Sequence, residues 1–142
     1  MSQSFSNHAR YFPPFHFFAT PVLMVYFVYT IRVASEVRTW PTVLAAVVAF
    51  ALIVQAVSAR TMALTVQNRV IRLEEHLRMQ RLLPADLQAR IGELSVGQLV
   101  ALRFASDAEL PELTRTVLTQ GITDKKAIKR MVTTWRPDHL RA

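Results

Sequence analysis

Residues 15–31, FHFFATPVLMVYFVYTI, carry no formal charge beyond a protonatable His16, and residues 41–59, PTVLAAVVAFALIVQAVSA, carry none at all. Each run fits the ~17–25 residues that an α-helix needs to cross the hydrocarbon core of a bilayer. Only residues 32–40 separate them, so two spanning helices must turn back on each other as an antiparallel hairpin. Pro21 lacks the amide hydrogen that a helix interior uses, which predicts a kink in the first run. A cleavable export signal is the rival reading, because Val33-Ala34-Ser35 resembles a cleavage site. The apolar run is too long for it, and Arg32 intrudes.

The rest of the chain differs in kind. Hydrophobic residues make up 51% of the 142 and the mean hydropathy is +0.22, but the apolarity is concentrated before residue 60, and the remainder is charged and helix-forming. Cysteine is absent, which excludes disulfides, thiolate metal sites and thioether-linked haem. The net charge of +7 suits an anionic partner such as lipid headgroups, nucleic acid or an acidic protein. Arg32 and Arg38 are the only basic residues between the two runs, and the other 15 of 17 flank their outer ends. The positive-inside rule then leaves both termini cytoplasmic.

Nine of the 13 aromatic residues fall within residues 5–29, next to histidine and arginine. That mixture prefers the headgroup layer. His8, Arg10, Tyr11, Phe12 and His16 on one side, with Trp40 at the head of the second run, are therefore the membrane-interface candidates. Pro13-Pro14 predicts an extended approach to the first helix. His8 and His16 are able to ligate a metal, haem or chlorin. No second ligand stands at metal spacing, since His76 and His139 are distant, so an interfacial or capping role is expected and no cofactor. In the second run Ala45, Ala49 and Ala56 offer a small-residue face for helix packing. Gln55, the one strongly polar residue there, reads as an interhelical hydrogen bonder.

Beyond residue 59 the helical pattern becomes amphipathic. Met62, Val66, Val70, Leu73 and Leu77 form a stripe, expected to pack on the chain's own C-terminal domain, with a two-stranded coiled coil as the other outcome. No glycine or proline interrupts this stretch before Pro84, so the second helix is expected to run to about residue 83. Glu74 and Arg78 form an i,i+4 pair on its exposed side. Residues 84–142 read as short helices. Ser95-x-x-Gln98 and Ser106-x-x-Glu109 fit capping boxes, Gly121 fits a C-terminal stop, and Thr123 fits the cap of a last helix. Asp107, Glu109 and Glu112 fit the first turn of a helix, where the dipole favours negative charge. The final segment reads as a basic amphipathic helix whose Lys125, Lys126, Lys129 and Arg130 could contact an anionic surface. Nucleic acid fits less well, for want of a helix-turn-helix or interleaved aromatics.

The fold expected is all-α: a membrane hairpin of two transmembrane helices, with a long helix extending into a small helical cytoplasmic domain. Its parts are an interfacial segment (1–14), the hairpin (15–59), a helical stalk (60–83) and the domain (84–142). NHARYFPPFHFF (7–18), LRFASDAELPEL (102–113) and KKAIKRMVTTWRPDHLR (125–141) together resemble a family of small bacterial membrane proteins of unknown function that pair two membrane helices with a helical tail. The resemblance covers nearly the whole chain and implies the topology, but no activity or catalytic residue. With three glycines, no phosphate loop and no nucleophile beside a base, no enzyme is expected. The function expected is a non-catalytic accessory subunit of a larger bacterial inner-membrane complex, respiratory and photosynthetic assemblies being examples. Its partners are lipids and other transmembrane subunits. The alternative is a free-standing anchored adaptor or regulator whose basic helix binds anionic lipid, or less readily nucleic acid. A small hairpin transporter needs more polar pore residues than Gln55 and Thr30.

Overall fold

The computed structural model describes residues 4–5 and 11–138. They fall into two compact units, one from residues 11–64 and one from residues 65–138 with 4–5.

In the first unit a helix opens at Pro14. Residues Pro14–Ala19 are wound as a π-helix and lead without a break into α1, Thr20–Val37. Pro13 has φ −56° and ψ −44°, so the proline pair starts the helix instead of extending the chain ahead of it. A proline's fixed φ suits a first turn, where its missing amide leaves no bond unmade. Pro21 expresses itself as a change of winding. It cannot donate to the carbonyl four residues back, and just before it the Thr20 amide and hydroxyl both donate to the Phe15 carbonyl. Helix α1 runs six residues past the apolar run, so the connection is only Arg38 and Thr39, not the whole of residues 32–40. Arg38 caps α1 in the left-handed conformation (φ 51°), its amide donating to the Ala34 carbonyl.

Helix α2 is continuous from Trp40 to Leu82, about 65 Å at ~1.5 Å per residue. In the first unit, Thr42, Ala45, Ala46, Ala49, Ile53 and Ala56 lie at helical spacing on its covered face. Ala49 is fully buried, and the Phe50 ring sits 5.7 Å from that of Phe27 on α1. The other faces of both helices are bare: Phe17, Phe18 and Val25 are 68%, 70% and 71% exposed. Among the described residues two helices, Pro14–Val37 and Trp40–Leu82, are long and apolar enough to cross a membrane.

The second unit joins the end of α2 to α3 (Ala85–Gln88), a 3-10 turn (Ile91–Glu93), α4 (Val96–Leu102), α5 (Leu110–Gln120) and α6 (Lys125–Met131). Helix α4 packs on α6 and α5, and α3 on α5. Leu87, Ile91, Leu99, Leu102, Phe104, Leu110, Val117 and Ile128 fill the interior. The Ser95–Gln98 capping box is complete, each side chain bonding the other's amide. Gly121 ends α5 at φ 62°. Asp124, not Thr123, caps α6, its carboxylate accepting from the Lys126 and Ala127 amides. A carboxylate reaches two amides at once, which a hydroxyl cannot match. The last helix stops at Met131. Pro137 disfavours helical geometry in the residue before it, and Trp135 pairs with Ala105 in an isolated antiparallel bridge.

The stripe expected to pack on this unit does not. Met62, Val66, Val70, Leu73 and Leu77 are all exposed, and α2 buries Ile71, Glu75, Arg78 and Met79 instead.

Candidate functional site

The residues covered by α2 form an ion network that local periodicity does not reveal. Arg78, 5% exposed, donates from Nε and Nη2 to Asp107 Oδ1 (2.9 and 2.6 Å) and from Nη1 to Glu75 Oε2 (3.1 Å). It also donates to the Ala105 and Arg103 carbonyls (2.7 and 3.4 Å). Arg136 reaches Glu75 Oε1 from the C-terminal segment (3.4 Å). Arg103 Nε lies 3.2 Å from Asp138, and its guanidinium stands 4.6 Å from the centre of the Phe104 ring, which stacks on Trp135 at 4.8 Å. Three cations thus meet three carboxylates where α2, the 103–107 turn and the 135–138 segment converge.

The titration of these groups follows from their settings. Burial pushes the Glu75 carboxyl above its ordinary value, although Arg78, Arg136 and Arg103 pull it down. The guanidinium of Arg78, bonded to Asp107, holds that carboxyl below its ordinary value. Arg78 therefore pairs with Glu75 and Asp107, not with Glu74. Glu109 also has a tertiary task. Burial raises its value, but bonds from the Thr133 amide and hydroxyl and the Thr134 amide outweigh this and hold it low. Of the acidic trio assigned to a helix start, only Glu112 sits in the first turn of α5. Asp107 instead ties the 103–107 turn to α2 through Arg78, and Glu109 ties the chain end to the domain. No local signal identifies these partners, because Arg78 and Asp107 are 29 residues apart and Glu75 and Arg136 are 61.

Of the membrane-interface candidates, His8 and Arg10 lie outside the described residues. Tyr11, Phe12 and Trp40 are exposed. His16 is half-buried, edge-on to the Tyr11 and Phe15 rings at 5.5 and 5.1 Å. Its Nδ1 accepts from the Phe12 amide at 3.1 Å, at the start of the helix. Ala45, Ala49 and Ala56 share the covered face of α2, but Gln55 projects from the other side, exposed and away from α1. Its amide therefore makes no bond between the two helices of the hairpin. A cavity of about 220 Å³ between α1 and α2 is lined by Tyr26, Tyr29, Thr30, Val33, Pro41, Thr42 and Ala45. The hydroxyls of Thr30 and Thr42 donate to the Phe27 and Thr39 carbonyls, leaving the lining mostly apolar.

The basic residues of α6 share a face but are not all turned outward. The Lys125 stem lies across Gly97 of α4, Lys129 Nζ stands 5.1 Å from the centre of the Phe104 ring, and Arg130 lies over the Phe5 ring at 5.5 Å. Lys126 is exposed. Among the described residues no group of three or more His, Cys, Asp or Glu is placed to hold a metal.

A family model described as "Family of unknown function (DUF6526)" matches residues 1–142. No curated protein and no solved structure matches the chain.

Proposed function

The chain belongs to DUF6526, and from that premise we propose that it is a non-catalytic accessory subunit of the bacterial inner membrane. In this reading α1 and α2 cross the bilayer as a hairpin with both chain ends in the cytoplasm. The hairpin packs beside the helices of a larger membrane complex, and the helical domain braces that complex from the cytoplasmic side. The observation that carries the reading is the bare apolar surface of the hairpin, with Phe17, Phe18, Val25 and Val28 all more than 60% exposed. In water such a surface drives association. Lipid tails and neighbouring helices are the covers that suit it.

An accessory role is supported by how the domain uses its ionisable groups. Glu75, Arg78, Arg103, Asp107, Glu109, Arg136 and Asp138 are engaged with one another or with backbone. The adaptor alternative draws less support, because Lys129 is half-buried over the Phe104 ring, and Lys125 and Arg130, though exposed, also touch Gly97 and Phe5 of their own domain. Extraction in a mild detergent, native separation and identification of the co-migrating proteins tests the proposal. The chain should migrate with a larger complex and stay there at high salt, which screens headgroup contacts. Migration free of any other protein, or release by salt alone, would overturn it.

A further inference from the structure

Within residues 65–82, α2 uses one face to cover the domain and leaves the opposite face without a partner. Val66, Val70, Leu73 and Leu77 step along that face by four, three and four residues and are 61%, 49%, 62% and 54% exposed. Eleven residues close three helical turns to within about 20°, so the row runs along the helix and does not wind around it. The sequence carries the same spacing back through Met62 and Ala59 to Gln55.

We propose that this row is a dimer seam, and that its occupant is the same row of a second copy of the chain, aligned in parallel. The flanking charges argue for a copy of itself. Arg69 and Glu74 border the row on its two sides, and among the described residues neither has an ion-pair partner. In a parallel two-fold pair, a residue on one flank faces the position five along on the other flank of its partner helix. Arg69 and Glu74 are five apart and opposite in charge, so each copy's Arg69 meets the other's Glu74, twice by symmetry. An antiparallel pair sets each flank against itself and forms no such pair. A β-branched Val70 followed by Leu73 is the core alternation that favours two strands. Parallel alignment also follows from the membrane reading of "Proposed function", on which this step rests: two copies inserted with one topology present α2 in the same direction.

The chain has no cysteine, so single-cysteine variants report directly. In native membranes treated with a mild oxidant, Val70→Cys and Leu73→Cys should each give a covalent homodimer. Arg72→Cys, exposed and about 130° around the helix from the row, should give little. Arg69→Glu should cut cross-linking of Val70→Cys roughly fivefold, Glu74→Arg likewise, and the two together should restore it. That restoration also shows that the single swaps did not simply unfold the chain. Equal cross-linking at Arg72→Cys, capture of a different protein at Val70→Cys, or failure of the double swap to restore dimer would overturn the seam. Alkaline washing of the same membranes separates the two claims. A chain that stays in the pellet without dimer sinks the seam alone, whereas a chain that washes off yet cross-links with this pattern sinks the membrane reading alone.

Discussion

Replacing Arg78 with methionine isolates the interaction that closes the helical domain. The change keeps a long apolar stem and deletes a guanidinium that makes five hydrogen bonds to Glu75, Asp107 and the carbonyls of residues 103 and 105. The bond to Asp107 is partly exposed and contributes modestly. The loss that matters is at Glu75, whose side chain is 5% exposed and keeps only the 3.4 Å contact from Arg136. Removing one partner of a buried pair costs about 3–5 kcal/mol, because the remaining charge stays desolvated. For a domain of this size each kcal/mol lowers the midpoint by about 4–8 °C, so the melt should fall by well over 10 °C. Trp135 reports on it through its 4.8 Å stacking on Phe104, and Trp40→Phe leaves it as the single tryptophan. The measurement is a fluorescence melt of the full chain in detergent. The pH dependence gives a second readout. The folded Glu75 value lies above the ordinary 4.5, so the stability linked to its protonation is fully present below 4.5 and is lost as pH rises through the folded value. Without Arg78 that folded value rises further, and the deficit of Arg78→Met should therefore shrink as the pH is lowered towards 4.5. Adding Glu75→Gln should recover part of the loss at neutral pH. A single variant that melts within about 1 kcal/mol of the parent, with no change of deficit on acidification, would refute the reasoning.

Local geometry sets four further outcomes. Gly121→Ala, at φ 62°, should cost about 1–2 kcal/mol in the same melt. Gly92→Ala, whose added carbon meets nothing within 4 Å, should stay within about 0.5 kcal/mol. Glu109→Gln should destabilise the domain at neutral pH. The folded Glu109 value is lowered, so its stabilisation is present above the ordinary 4.5 and lost as pH falls through the folded value, and parent and variant melts should converge in acid. Ala49→Leu, at a fully buried position of α2, overfills the hairpin at a cost of about 1–3 kcal/mol. It should lower bismaleimide cross-linking between cysteines placed at Thr30 and Ala45, which line one cavity.

The sequence makes some of this structure legible and hides the rest for a physical reason. Uncharged length reveals both apolar helices, the absence of glycine and proline reveals the long α2, and cap chemistry reveals the turns at Ser95 and Gly121. The choice of face on α2 does not show. Apolar periodicity points to Val66, Val70, Leu73 and Leu77, but the domain covers the side with Glu75 and Arg78. Burying those charges is tolerable only because Asp107 and Arg136 arrive from distant segments, and a local pattern carries no trace of such partners. The acidic trio misleads in part: Glu112 sits in the first turn of α5 and Glu109 at its N-cap, but the Glu109 carboxylate is taken by Thr133 and Thr134, and that of Asp107 by Arg78.

The central claim is that residues 15–59 lie in the bilayer as a hairpin with both ends on one side. Single cysteines introduced at Ser2, Thr39 and Gln120 of this cysteine-free chain, probed with an impermeant maleimide in right-side-out and inverted vesicles, test it directly. Labelling of Thr39→Cys only in right-side-out vesicles, with Ser2→Cys and Gln120→Cys labelled only in inverted ones, is the result predicted. Labelling of all three from the same side, or of Ser2→Cys and Gln120→Cys from opposite sides, would contradict it.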